Sequence, residues 1–178
     1  MTERSGLLLI LGVDCATKTG LARWQIDRHE SSIETSTIQA RGPFLEQKVY
    51  DLAQKFEANL DRYGAPDMAV IEAPMKTTIR GNVGPTVALN QMAGAILGVL
   101  ARRNIRFEMI DESTWRKSLY GFGRKQGWSS PQWKNHAKAS CQQMGIEVKN
   151  ADEAEAAMLA FYGGRISKIV KMARLEAA

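Results

Sequence analysis

Hydrophobic residues recur along this chain with two different periods. The run Leu7-Leu8-Leu9-Ile10-Leu11-Gly12-Val13 closes on Asp14 and has the length and composition of a buried strand. Thr17-Lys18-Thr19-Gly20 supplies a turn. Leu21 to Ile26 and Ile33 to Gln39 read as two more strands, the second alternating Ile and Thr as a half-exposed strand does. The segment 27–32 is then a hairpin loop, and the three strands form an antiparallel meander. From Gly42-Pro43 the period becomes helical. Phe44, Val49, Leu52, Phe56 and Leu60 share a face through Tyr63, and Gly64-Ala65-Pro66-Asp67 stops the helix. A strand Met68-Ala69-Val70-Ile71 closes on Glu72, followed by a loop from Met75 to Gly84 that carries Lys76 and Arg80. Pro85 opens a second helix to about Asn104, and Ile105 to Ile110 is a fifth strand. Ser113 caps a short helix through Leu119. Tyr120 to Ser129 is a glycine-rich basic loop. Ser130-Pro131 begins a helix to Met144, and the last helix runs from Asp152 to about Val170.

The order is β-β-β-α-β-α-β-α-α-α, with no repeat or low-complexity stretch, and fits one domain over residues 1–178. Three antiparallel strands followed by two reached through helices is the RNase H-like order. It predicts an α/β fold with a five-stranded mixed sheet flanked by helices, in which right-handed crossovers bring the last two strands in parallel. The strand of Asp14 is then central and that of Glu72 its neighbour.

Composition adds the partner. Hydrophobic residues make up 44% and charged residues 24%, as in ordinary globular domains. The net charge of +5 and a pI near 9.3 favour a polyanion such as nucleic acid. The apolar runs Gly6 to Val13 and Met92 to Ala101 are shorter than a membrane span, so the expectation is a cytoplasmic protein with no membrane partner. Cys15 and Cys141 have no metal spacing and are expected to be free thiols.

Candidate chemistry lies in the acids. A carboxylate at the end of a buried strand is costly unless a cation meets it. Asp14 and Glu72 end two such strands, and Asp152 and Glu155 begin a helix. The i,i+3 spacing of Asp152 and Glu155 places both on one helix face near the positive end of its dipole. Glu153 points elsewhere by that geometry and is expected to be solvated. An all-oxygen donor set suits Mg2+ or Mn2+. Among basic residues, Lys134 and Lys138 share one face of their helix while Trp133, Ala137, Cys141 and Met144 share another. Trp128 and Trp133 are expected in a core or lid, and His29 and His136 have no partner pattern.

These segments together resemble the RuvC-type Holliday-junction resolvases. Gly12-Val13-Asp14-Cys15-Ala16-Thr17-Lys18-Thr19-Gly20 is similar to that family's Gly-Ile-Asp-Pro-Gly-Ser…Gly opening, and Val70-Ile71-Glu72 to its second acidic strand. Asp152-Glu153-Ala154-Glu155-Ala156 is similar to its Asp-x-x-Asp helix start. Leu89-Asn90-Gln91-Met92-Ala93-Gly94 resembles its Leu-Gly-Gln-Ala-Arg-Gly helix, and Trp115-Arg116-Lys117 through Gly121-Phe122-Gly123 its basic helix and glycine turn. The resemblance implies a homodimer, joined through the apolar helix Val87 to Leu100, that nicks four-way DNA junctions symmetrically. It implies two Mg2+ ions, replaceable by Mn2+, with Asp14 bridging, Glu72 on one ion and Asp152 and Glu155 on the other. Lys117 matches a basic position near that site and is expected to be catalytic with the four acids, stabilising charge at the scissile phosphate. Met75, Lys76, Arg80, Arg116, Lys117, Arg124, Lys125, Lys134 and Lys138 are the expected DNA contacts. Cys15-Ala16 stands where the family has Pro-Gly, Glu155 where it has Asp, and Met75 where it often places a base-stacking aromatic. A methionine wedges between bases less well than a ring, which keeps a less selective branched-DNA or flap nuclease open as an alternative. A catalytically inactive DNA-binding protein is the non-enzyme alternative. An actin-like ATPase shares the fold and a similar opening but needs two such domains.

Overall fold

The computed structural model describes residues 8–74 and 83–167. Strands β1 (Leu9–Asp14), β2 (Lys18–Gln25), β3 (Glu34–Gln39), β4 (Met68–Glu72) and β5 (Arg106–Ile110) form one sheet in the order β3-β2-β1-β4-β5. β1, β2 and β3 pair antiparallel, while β4 and β5 extend the sheet in parallel from β1. This is the expected RNase H-like sheet. The helices are α1 (Leu45–Tyr63), α2 (Gly84–Arg102), α3 (Glu112–Tyr120), α4 (Ser130–Gln143) and α5 (Ala151–Arg165).

The alternation of side chains along β1 builds two cores. Leu11 and Val13 point to one face and pack with Leu52, Phe56 and Leu60 of α1 and Met92, Ile96 and Leu100 of α2. Ile10 points to the other, where Trp24, Val70, Trp115 and the small residues of α5 pack. Full burial of each such aliphatic chain contributes roughly 1.5–3 kcal/mol before the entropy of ordering it. Gly12 and Asp14 share the Ile10 face. A Cβ on Gly12 would stand 2.1 Å from the Ala156 carbonyl oxygen, and one on Gly20 2.0 Å from that of Asp152. Gly20 pairs with Asp14 across the β1–β2 ladder. Two glycines therefore let the first turns of α5 rest on the sheet beside Asp14.

Several element ends differ from expectation. The Thr17–Gly20 turn is tighter than expected because Thr19 Oγ1 donates to the Ala16 carbonyl at 2.6 Å, so β2 begins at Lys18. The 27–32 loop holds one 3-10 turn, Glu30–Ser32. α1 begins at Leu45, after Phe44 in extended conformation. Asp111, and not Ser113, is the N-cap of α3. Ser129 takes that position on α4, where Gln132 Oε1 accepts its N–H at 2.6 Å. α5 begins one residue early because Asn150 caps it. The stretch beyond residue 167, where its end was expected, lies outside the described residues.

α2 is long and apolar enough by composition to cross a membrane. Met92, Ala93, Ile96, Val99 and Leu100 are nevertheless buried in the core with α1 and the sheet. Val87, Gln91, Gly94, Gly98 and Ala101 line an exposed stripe on its opposite side, so the helix is not apolar core all round.

Candidate active site

The strand and helix geometry brings the acids together. Asp14 at the end of β1 and Asp152 and Glu155 on α5 offer carboxylate oxygens that all lie within 4.8 Å of one another. Glu72 ends β4 on the same face of the sheet, where Trp115 Nε1 donates to its Oε2 at 2.9 Å. It lies outside the tight triple but close enough to raise the pKa of Asp14. Burial pushes the Asp14 carboxyl well above the ordinary carboxylate range, and Glu155 and Glu72 push it further against the pull of Lys134. Burial and then Glu155 raise Glu72 to about 7. Burial raises Glu155 too, although Lys134 and Arg116 oppose it. The fold thus crowds carboxyls whose ionisation burial and mutual repulsion oppose, more than the nearby cations offset.

Two lysines reach this cluster. Lys134 Nζ on α4 lies 2.9 Å from Asp152 Oδ1 and 3.9 Å from Glu155 Oε2. Lys18 Nζ at the start of β2 lies 3.4 Å from Asp152 Oδ2. Lys134, expected as a phosphate contact, is thus placed among the acids. Lys18 was missed. Its position four residues after Asp14 was the available signal, because a turn that short returns the chain to the same end of the sheet.

Arg116 is corrected as well. It was expected on DNA, but it is buried, donates to Glu155 Oε1 at 2.9 Å and pairs with Glu112. Its guanidinium lies over Trp133 at 4.4 Å and beside Trp115 at 5.2 Å. Held between two rings, it fixes one oxygen of Glu155. Lys117, the next residue, is exposed on the outer side of α3. Among the described residues it pairs with none of the four acids, so it is not the cation beside them.

Glu153 corrects a further expectation. It is 2% exposed and anything but solvated. Its carboxylate accepts from Thr35 Oγ1 at 3.0 Å, Thr37 Oγ1 at 2.8 Å, the Lys149 N–H at 2.8 Å and Asn150 Nδ2 at 3.2 Å. Burial alone would raise its pKa, but these donors hold it below the usual range.

Of the remaining expected DNA contacts, Arg124 and Lys138 are exposed, and Lys125 lies over Trp128 at 4.3 Å. Met75, Lys76 and Arg80 lie outside the described residues. Trp128 and Trp133 pack at 4.8 Å in a ring cluster with Phe122, as a lid-like core would. His136 belongs to it, edge-on to Tyr120 at 4.4 Å, and is not incidental. Cys15 and Cys141 are free, and burial lifts each thiol to about 12, which leaves no thiolate for nucleophilic attack.

No protein-family model matches the sequence, and no curated protein matches it. Solved structures do. Thermus thermophilus RuvC in complex with a Holliday junction substrate matches with a TM-score of 0.66 at 13% identity, over 96% of this chain and 98% of that one. A second Thermus thermophilus RuvC structure matches with a TM-score of 0.63 at 14% identity, over 88% and 95%. The chain has the RuvC fold. The yeast mitochondrial Holliday junction resolvase Ydc2 matches with a TM-score of 0.56 at 12% identity, over 94% and 84%. At these identities the RuvC likeness concerns the fold, and the chemistry rests on the acids described above.

Proposed function

We propose that this protein is a divalent-metal-dependent endodeoxyribonuclease that resolves four-way DNA junctions. One observation carries the reading. Asp14, Asp152 and Glu155 converge within 4.8 Å at the end of the central strand of a RuvC fold, and burial and crowding raise the Asp14 and Glu155 carboxyls even with Lys134 beside them. Oxygen-only donors and raised carboxylate pKa values fit a hard cation such as Mg2+ or Mn2+. Asp14, Asp152 and Glu155 would hold it, with Glu72 serving a second ion. When bound, such ions activate water and stabilise the leaving oxygen of a phosphodiester.

The chain's own residues do the rest. Trp115 fixes Glu72 and Arg116 fixes Glu155, so two carboxylates are aimed before any ion arrives. Lys134 holds the acid cluster together and can turn to a phosphate once a cation replaces it there. Lys117, Arg124, Lys125 and Lys138 meet the DNA backbone. The exposed stripe of α2, with Gly94 and Gly98 open to close approach, is the contact for a second copy, and a twofold dimer would cut two strands symmetrically.

The test is to incubate the protein with four-way, three-way, flap and linear DNA with and without Mg2+ and map the nicks. Paired nicks confined to the four-way junction are expected. Equal cutting of flaps would favour the less selective branched-DNA nuclease, and no cutting of any substrate would refute the assignment. Light scattering should give twice the chain mass.

A further inference from the structure

α3 presents two faces. Its inner face sets Trp115 and Arg116 on the carboxylates of Glu72 and Glu155. Its outer face borders an open groove of about 480 Å3 lined by Ser113, Thr114, Lys117, Ser118, Gly123 and Arg124. The lining is three hydroxyls, two cations and a glycine, with no carboxylate and no ring. The nearest acid in sequence, Glu112, is engaged with Arg116. The glycine is what closes the groove. A Cβ on Gly123 would stand 2.1 Å from the Ser113 carbonyl oxygen, so the loop lies directly on the first turn of α3. Phe122 anchors that loop in the cluster of Trp128 and Trp133.

We propose that this groove binds a backbone phosphate of the strand being cut, away from the scissile bond, and so sets which bond reaches the acids. The proposal rests on the nuclease reading above. Two cations flanked by the Ser113 and Thr114 hydroxyls match a phosphodiester in charge and hydrogen bonding, while Ser118 Oγ donates to the Thr114 carbonyl at 2.9 Å. With no ring in the lining a base has nothing to stack on, so the groove reads backbone and not sequence. Because α3 carries the groove on one side and the anchors of Glu72 and Glu155 on the other, the separation is fixed by one helix. The bound phosphate therefore lies at one fixed register from the scissile one.

Single methylphosphonate replacements along the cut strand of a four-way junction test this, with affinity measured by gel shift in EDTA and nicks mapped in Mg2+. The wild type should lose on the order of tenfold in affinity at one or two adjacent positions displaced from the nick. The variant Lys117→Ala with Arg124→Ala should bind unmodified junction more weakly, with a salt slope smaller by about two. It should also be indifferent to methylphosphonate at those positions while staying sensitive elsewhere, and its nicks should spread to neighbouring bonds. Thr114→Asp, an exposed change in a helix first turn that tolerates acids, should reproduce the indifference without removing a cation. If the variants weaken binding but leave the interference pattern and nick position as in the wild type, the groove is not a phosphate site, although the nuclease reading stands. A wild-type protein that neither binds nor cuts junctions overturns both.

Discussion

Glu153 and Glu155 stand two residues apart on α5, both buried, yet their carboxyls are driven in opposite directions. Glu153 faces β3 and is met by two threonine hydroxyls, a backbone N–H and an amide, all fixed parts of the fold. Those donors outweigh the cost of burial and hold it ionised. Glu155 faces Asp14 and Asp152, and burial raises it while Lys134 and Arg116 only partly offset the effect. Burial alone therefore does not mark a functional acid. What separates the two is whether the chain itself completes the coordination or leaves it for something from solution.

The largest expected effect is on the Glu155 side. Asp14→Asn should reduce junction cleavage by about 10³-fold, the scale of losing a preorganised charge at a reacting centre. It should also raise the melting temperature of the metal-free protein, because one repelling carboxylate is gone. Wild-type turnover by this variant, or a fall in its melting temperature, would contradict the reading of the cluster. Lys134→Ala should lower the single-turnover rate at saturating DNA by about 10²-fold. Lys117→Ala should leave that rate near wild type and act on affinity alone, and the reverse order would return Lys117 to the acids.

The Glu153 side should respond in stability. Glu153→Ala strands four donors and should cost about 2–3 kcal/mol in a denaturant melt, while cleavage per folded molecule stays within a few-fold. The smallest effect is in pH. A carboxyl with a raised folded pKa holds its proton more tightly in the native state. It therefore subtracts stability as pH climbs from about 4.3 to its folded value, about 7 for Glu72. Glu153 acts oppositely: its contribution is present above the ordinary range and is lost as pH falls through its depressed value. Metal-free protein should melt at a lower temperature at about pH 7.5 than at about pH 5.5, and Mn2+ should remove most of that difference. A melting temperature that is flat across this range, or rises with it, would mean the raised acids do not dominate.

Much of this site was legible in the sequence because its carriers follow one-dimensional rules. Asp14 and Glu72 each close an apolar run, and Asp152 and Glu155 share a helix face by spacing alone. The order of elements followed from the alternation of periods, and the sheet order from the RNase H-like connections. What escaped depended on how elements pack. Nothing in the helical wheel of α5 reveals that Thr35 and Thr37 of β3 wait beneath Glu153. The choice between Lys117 and Lys134 turns on which sides of α3 and α4 meet the sheet, and Trp115 and Trp133 decide that by burying their own faces. Arg116 looked like a DNA contact because a sequence cannot show that two rings enclose it.

The metal-site assignment is tested most directly by single-turnover nicking of a four-way junction as Mn2+ is titrated into the wild type, Glu153→Gln and Glu155→Gln. Mn2+-dependent nicking is expected from the wild type and Glu153→Gln, and none from Glu155→Gln at any concentration that saturates the others. Nicking by the wild type in EDTA, or equal Mn2+ dependence in all three, would contradict it.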